Sequence, residues 1–208
     1  LYYIRVVLPA QLSKRVADSL KAFSKAVELR FPSRAGITEE VVSLALAIGI
    51  ERGMGRRALT RLEMAARLSD IGLCSIPYEM INSKAPNEWS EAERAIHDRH
   101  PEVSAAMLEL VPFLRHLAPY VRFHHVPFDG SAGPIGPSGN EIPIESRILA
   151  VATEYASNRR LVGPFLAREG LRQERGRMLD PDLVETALAV LTSDRDLVAR
   201  EQDALVPR

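Results

Sequence analysis

Apolar side chains recur every three or four residues along most of this 208-residue chain, a period that favours helix and leaves little room for strand. Val16, Leu20, Phe23 and Val27 form one such stripe, predicting an amphipathic helix from Leu12 to about Arg30 that ends at Phe31-Pro32-Ser33. Thr38, with Glu39 and Glu40 in the first turn, opens a second helix through Leu46 and Ile50, closed near Gly53 and Gly55. Leu59, Leu62, Ala66 and Leu68 mark a third, and the chain must turn between Gly72 and Pro77. Ser90-Glu91-Ala92-Glu93 has the form of a capping box, so a helix should run from there to about His97. Pro101 suits the first turn of the next, which carries Val103, Met107 and Leu110. Pro112 is expected to open a segment with Leu114, Leu117 and Val121 that delivers His124 and His125. Between Phe128 and Gly139 four glycines and two prolines fall in twelve positions, a composition that makes a loop. Pro143 then leads an apolar helix from Ile144 to about Ala156, and Asp180-Pro181 reads as N-cap and first-turn proline of a last helix through Leu191. The expectation is an all-α bundle of eight or nine helices without internal repeat, preceded at Leu1–Leu8 by a short strand or a linker.

At 46% hydrophobic the chain can bury one sizeable core. We place one domain at 15–192, with 1–14 as a linker or the end of an upstream element and 193–208 as a tail or helix extension. Lysine plus arginine and aspartate plus glutamate both number 27, which argues against nucleic acid or an anionic membrane as partner. Cys74 is alone, which excludes an internal disulfide and makes it a buried filler rather than a nucleophile. No apolar run approaches the roughly 20 residues of a membrane span, and no signal segment opens the chain, so the expected location is the cytoplasm. The start at Leu1 rather than methionine leaves room for an upstream sensor or receiver domain.

All five histidines lie between His97 and His125. His100, His124 and His125, with Asp70 at a helix end before a glycine, offer three imidazoles and a carboxylate, enough for a first-row divalent ion with a position left for water. The competing reading is that these histidines hydrogen-bond within a helical core and that Asp70 caps a turn. His97 and His116 are expected at the surface or in partner contacts, and Trp89 where the capping-box helix begins. Arg159-Arg160 and the stretch Arg172 to Arg177 are local positive patches.

Several ordered segments resemble the HD-GYP family of cyclic di-GMP phosphodiesterases over about residues 15 to 192. They are Ala65 to Gly72 followed by Ile76-Pro77, Arg99-His100-Pro101-Glu102-Val103, Pro119 to His125 with Phe128-Asp129-Gly130-Ser131, Gly139 to Ala152, and Leu179-Asp180-Pro181. The resemblance implies an HD-domain-like helical bundle with a Gly/Pro-rich GYP-type loop, and a two-ion site bridged by an aspartate matching Asp70.

At other family positions this chain departs. Where the family places its first metal histidine stands Ile37, its His-Asp histidine is Ser69, its phosphate-binding lysine is Leu73, its GYP tyrosine is Gly133 and its late aspartate is Thr153. Glu154 lies one residue along, about 100° round a helix from the required direction. Of the first ion's ligands only Asp70 is left, whereas the second ion's set, Asp70, His100, His124 and His125, is complete. Arg122, Asp129, Arg159 and Arg160 are the candidates for ligand contacts. The resemblance therefore implies a degenerate member, inactive towards cyclic di-GMP, that acts as a regulatory or protein-interaction module beside an upstream domain or as a homodimer. A single divalent transition metal (Fe, Mn, Zn or Ni), or none, is expected. Two alternatives remain open: a single-metal phosphohydrolase using the surviving cluster, and a cyclic dinucleotide receptor without cleavage.

Overall fold

A computed structural model describes residues 8–31, 34–84, 88–131, 133 and 136–204. In chain order the helices are α1 (Leu8–Arg30), α2 (Ile37–Glu51), α3 (Arg56–Leu68), α4 (Tyr78–Asn82), α5 (Glu91–Asp98), α6 (His100–Glu109), α7 (Ala118–Arg122), α8 (Ile144–Glu174) and α9 (Pro181–Ala204). Single 3-10 turns occupy Ile71–Ser75, Arg115–Leu117 and Gly139–Glu141. Among the described residues no strand forms beyond an isolated bridge between Arg175 and Leu179, so the all-α expectation holds. No helix among them is long and apolar enough to cross a membrane. Leu1–Leu8, read as strand or linker, lies outside the described residues except Leu8, which already begins α1.

Helix α2 is apolar on nearly every side, and a helix of that kind must be enclosed. It packs on α3, α8 and α9, burying Ile37, Val41, Val42, Leu44, Ala45 and Ile48 in one continuous core. Its start owes little to Thr38 as a cap. Glu28 of α1 accepts hydrogen bonds from the backbone N–H of Gly36 (3.1 Å) and Thr38 (2.9 Å), so a carboxylate borrowed from the preceding helix satisfies the free donors. That contact also fixes the 34–36 turn between the two helices.

A second, smaller cluster holds Phe31, Leu73, Ile76, Met80 and Trp89. The Trp89 indole N–H donates to the Met80 carbonyl (3.1 Å), and the neighbouring Ser90–Glu93 capping box forms in both directions, as its spacing predicted. Cys74 is half-buried rather than enclosed.

Three boundaries differ from expectation. Pro112 sits in a turn; the proline that enters a first turn is Pro119 of α7, after a 3-10 turn at Arg115–Leu117. The run Ser157-Asn158-Arg159-Arg160 does not end α8, because Asn158 donates to Glu154 one turn back (2.6 Å) and the helix continues to Gly163, where φ 82 and Pro164 introduce a kink. Beyond the kink Ala167 and Leu171 return to the core. Asp180 does cap α9, accepting from the N–H of Asp182 (2.9 Å) and Leu183 (3.3 Å), although that helix extends well past Leu191.

Gly72 is the closest approach between the Ile71–Ser75 turn and α6. Its N–H donates to Ser104 Oγ (2.7 Å), which in turn donates to the Ser69 carbonyl (2.8 Å). A Cβ at Gly72 would stand 2.3 Å from the His100 carbonyl oxygen, an impossible contact with backbone. Gly72→Ala should therefore lower stability by about 1–3 kcal/mol, and Ser104→Ala by about 1 kcal/mol. Urea unfolding checks both; Gly72→Ala at wild-type stability would show that α6 and the turn are not in register through this contact.

Candidate metal site

The Gly72–Ser104 junction brings Asp70, at the entrance of the 3-10 turn, against His100, the first residue of α6. Pro101 has no N–H for the His97 carbonyl four residues before it, and the His100 Nδ1–H donates to that carbonyl instead (2.7 Å). His124 follows the short helix α7, whose last-turn carbonyls are available, and its Nδ1–H donates to Val121 O (2.6 Å). A carbonyl can only accept, so both Nδ1 atoms carry a proton, and in the neutral imidazole each Nε2 then presents a lone pair. The two Nε2 atoms face Asp70 Oδ1 at 3.5 Å for His100 and 3.8 Å for His124. One nitrogen from each of His100, His124 and His125 lies within 4.8 Å of the others. His100 and His124 are buried, whereas His125 is an exposed residue whose ring packs on those of His124 (4.0 Å) and His100 (5.1 Å).

These atoms lack ordinary partners. Asp70 Oδ1 and His124 Nε2 are buried and neither has a hydrogen bond. Two lone pairs aimed at a carboxylate oxygen repel one another unless something positive lies between, and a divalent cation satisfies all of them at once. The three imidazoles converge on one point, and Asp70 adjoins two of them, His100 and His124; such nitrogen and carboxylate donors suit a first-row ion. Asp70 makes no side-chain cap to its turn, which removes the competing role envisaged for it.

Asp70 has a second partner that no motif announced. Its Oδ2 accepts an ion-paired hydrogen bond from Arg34, on the turn between α1 and α2. Burial pushes the Asp70 carboxyl up, but the Arg34 guanidinium outweighs burial and holds it well below the usual carboxylate range. His124 is driven the other way: burial lowers its pKa from 6.5 to about 4, leaving a neutral imidazole at neutral pH.

Of the residues that depart from the HD-GYP pattern, Ile37 and Leu73 share a small pocket with Arg34 and Asp70. Ile37 and Leu73 are core residues. Ser69 Oγ turns back to donate to the Ala66 carbonyl (3.1 Å), and Thr153 is buried with its hydroxyl unpartnered. Gly133 lies in the 128–139 loop with φ 123. The candidates for ligand contact are scattered. Arg122 pairs with Glu102 (3.0 Å) and Glu109 (2.9 Å), Asp129 accepts from the Ser131 N–H (2.8 Å), Arg159 pairs with Glu40 (3.2 Å), and Arg160 donates to the Ala35 carbonyl. The expected positive patch at Arg172 to Arg177 is offset by ion pairs of Arg172, Arg175 and Arg177 with Glu169, Glu185 and Glu174.

His97 is partly exposed, at 26% of its side chain, and its ring lies between those of Trp89 (4.9 Å) and His100 (5.0 Å), so it backs the site. Glu154 does not take the place of the late aspartate, although it lines a cavity of about 270 Å³ with His124, His125 and Glu174. Burial raises its pKa.

The depressed pKa of His124 carries a pH dependence. Below pH 6.5 the unfolded chain takes up a proton that the folded one refuses until about pH 4, so stability of metal-free protein falls as pH drops through that window. Between pH 7 and pH 5 this amounts to about 2 kcal/mol. Urea titrations of chelator-treated protein should show the loss, and His124→Asn should diminish it; an equal loss in the variant would mean that His124 is not the titrating group.

With this geometry in view, comparison with known proteins is direct. A family model described as HD domain matches residues 12–182. The chain is 28% identical over 189 residues to the cyclic di-GMP phosphodiesterase response regulator RpfG of Xanthomonas campestris pv. campestris, covering 86% of this chain and 49% of the relative. It is 31% identical over 174 residues to a cyclic di-GMP phosphodiesterase of Thermotoga maritima, covering 80% and 47%. It thus spans about half the length of these curated relatives, at 49% and 47%. Bd1817, an HDG"Y"P protein from Bdellovibrio bacteriovorus, superposes with a TM-score of 0.63 at 16% identity, over 75% of this chain and 51% of that one. The HD domain of the L. monocytogenes phosphodiesterase PgpH, in complex with cyclic di-AMP, gives 0.61 at 14% identity, over 85% and 97%. At these identities the two structures attest to the fold. The family match and the helical architecture together place this chain in the HD-domain family, alongside the cyclic di-GMP phosphodiesterases.

Proposed function

We propose that this chain is an HD domain that retains one cation position, formed by Asp70, His100, His124 and His125, and has given up the second. On this reading it does not hydrolyse cyclic di-GMP and serves as a regulatory module that works through contacts with another protein domain. The observation that carries the reading is the asymmetry about Asp70. On one side the Nε2 atoms of His100 and His124 face Oδ1 (3.5 and 3.8 Å); on the other, Arg34 takes Oδ2 and shares a small pocket with Ile37 and Leu73, while the remaining family positions hold Ser69 and Thr153. Two-ion phosphodiester cleavage needs both cations to clamp the attacking and leaving oxygens. An apolar Ile37 and Leu73 supply neither a ligand nor a compensating charge.

A second reading is favoured by one feature, the solvent-exposed His125 beside the cavity of about 270 Å³. That volume falls at the lower end of small-ligand sites, near 300 Å³, and would admit a small phosphate ester. An ion bound there supplies Lewis-acid polarisation of a phosphoryl oxygen and a more acidic water. His100 and His124 hold their lone pairs towards it through their carbonyl-bonded Nδ1 protons, and Asp70 supplies the negative charge.

Protein purified without chelators should contain close to one equivalent of Fe, Mn, Zn or Ni per chain by elemental analysis, falling below about a tenth in His124→Ala. It should leave cyclic di-GMP intact. Hydrolysis of cyclic di-GMP that disappears in His124→Ala would overturn the regulatory reading, and a metal content below about a tenth of an equivalent in wild type would overturn the cation site. Turnover of a generic phosphomonoester, lost in His124→Ala, would select the second reading.

A further inference from the structure

We propose that Arg34 fills, from within the polypeptide, the electrostatic place of a second cation beside Asp70, restricting the histidine cluster to one ion and weakening its hold on that ion. This rests on the cation-binding reading of the cluster given above.

The Asp70 carboxylate is divided. Oδ2 is held by Arg34, and Oδ1 faces His100 and His124 without a hydrogen bond. Arg34 is fixed in this position by its surroundings. Its N–H donates to the carbonyl of the fully buried Phe31 (2.8 Å), the next carbonyl, of Ala35, accepts from Arg160, and Gly36 is bound by Glu28 (3.1 Å). Arg34 and Asp70 line one small pocket together with the apolar Val27, Phe31, Ile37 and Leu73 and the charged Glu28 and Arg67. Only 23% of the side chain is exposed. The positive charge is therefore delivered to one oxygen by a constrained side chain. Among the described residues, no other group of His, Cys, Asp and Glu side chains is close enough to hold an ion on that side.

Charge counting gives the consequence. Asp70 and Arg34 cancel, so the ion meets three neutral imidazoles and a carboxylate whose charge is already compensated. A dication held close to Arg34 is also repelled by it. Removing the charge leaves Asp70 wholly to the ion, so affinity must rise, while stoichiometry stays at one because Ile37, Ser69 and Thr153 add no donors of suitable strength.

The experiment is a zinc titration of the full chain after chelator treatment, followed by calorimetry and by thermal unfolding. Wild type should bind one equivalent. Arg34→Gln should unfold at a lower temperature when metal-free, bind one equivalent at least about tenfold more tightly, and gain a larger zinc-induced rise in Tm than wild type. Arg34→Met, which keeps an aliphatic stem, should tighten binding equally, and Arg34→Lys should keep wild-type affinity. Unchanged or weaker zinc binding in both Arg34→Gln and Arg34→Met would overturn the inference and leave Arg34 a structural partner of Asp70. Zinc binding by neither wild type nor variants would instead overturn the cation-site reading on which it rests.

Discussion

Asp70 must satisfy two demands at once, and the surrounding structure is arranged so that it can. A carboxylate near the interior is costly unless each oxygen meets a donor or a cation. Arg34 meets Oδ2, and the lone pairs of His100 and His124 stand before Oδ1. Every other feature of the site follows from keeping these two faces apart. The histidines arrive from α6 and from the end of α7, whereas the arginine arrives from the α1–α2 turn on the opposite side.

The scaffold achieves this with few contacts of high consequence. Glu28 fixes the α1–α2 turn by binding the Gly36 and Thr38 N–H groups, which sets where Arg34 begins. Gly72 and Ser104 lock the Asp70 turn against α6 at a separation that no larger residue at Gly72 would permit. Pro101 withholds the N–H that the His97 carbonyl would otherwise use, and so makes that carbonyl the anchor for His100. Each device is local in sequence on one side and distant on the other, which is how a helical bundle transmits precision to a site at its helix ends.

This division explains what could be read from the chain beforehand. The helices around Leu62, the Ser90–Glu93 box and the Asp180 cap follow from short-range spacing, and their positions were legible. The grouping of His100, His124 and His125 was legible too, because their segments resembled an ordered family pattern. Arg34 was not. A single arginine between Ser33 and Ala35 has no periodicity or spacing to mark it, and its partner lies 36 residues away. The ring contacts of His97, to Trp89 and His100, were hidden for a related reason: they depend on how α5 meets α6. The continuation of α8 past Ala156 was hidden because the polar run after it resembles a terminus, while the Glu154–Asn158 bond that sustains the turn is a side-chain detail.

On the proposed reading the substitutions at the family positions are coupled rather than independent losses. An empty cation position beside a half-buried aspartate would leave an uncompensated charge, and such a charge raises its pKa or unfolds its surroundings. Ile37 and Leu73 make the vacated side apolar, which would worsen that penalty by removing water as well. Arg34, which lines the same small pocket as Ile37 and Leu73, supplies the charge through its guanidinium. The Asp70 carboxyl is accordingly held well below its ordinary range despite burial. On the proposed reading, the arginine that offsets the Asp70 charge is also the group that competes with any ion for it.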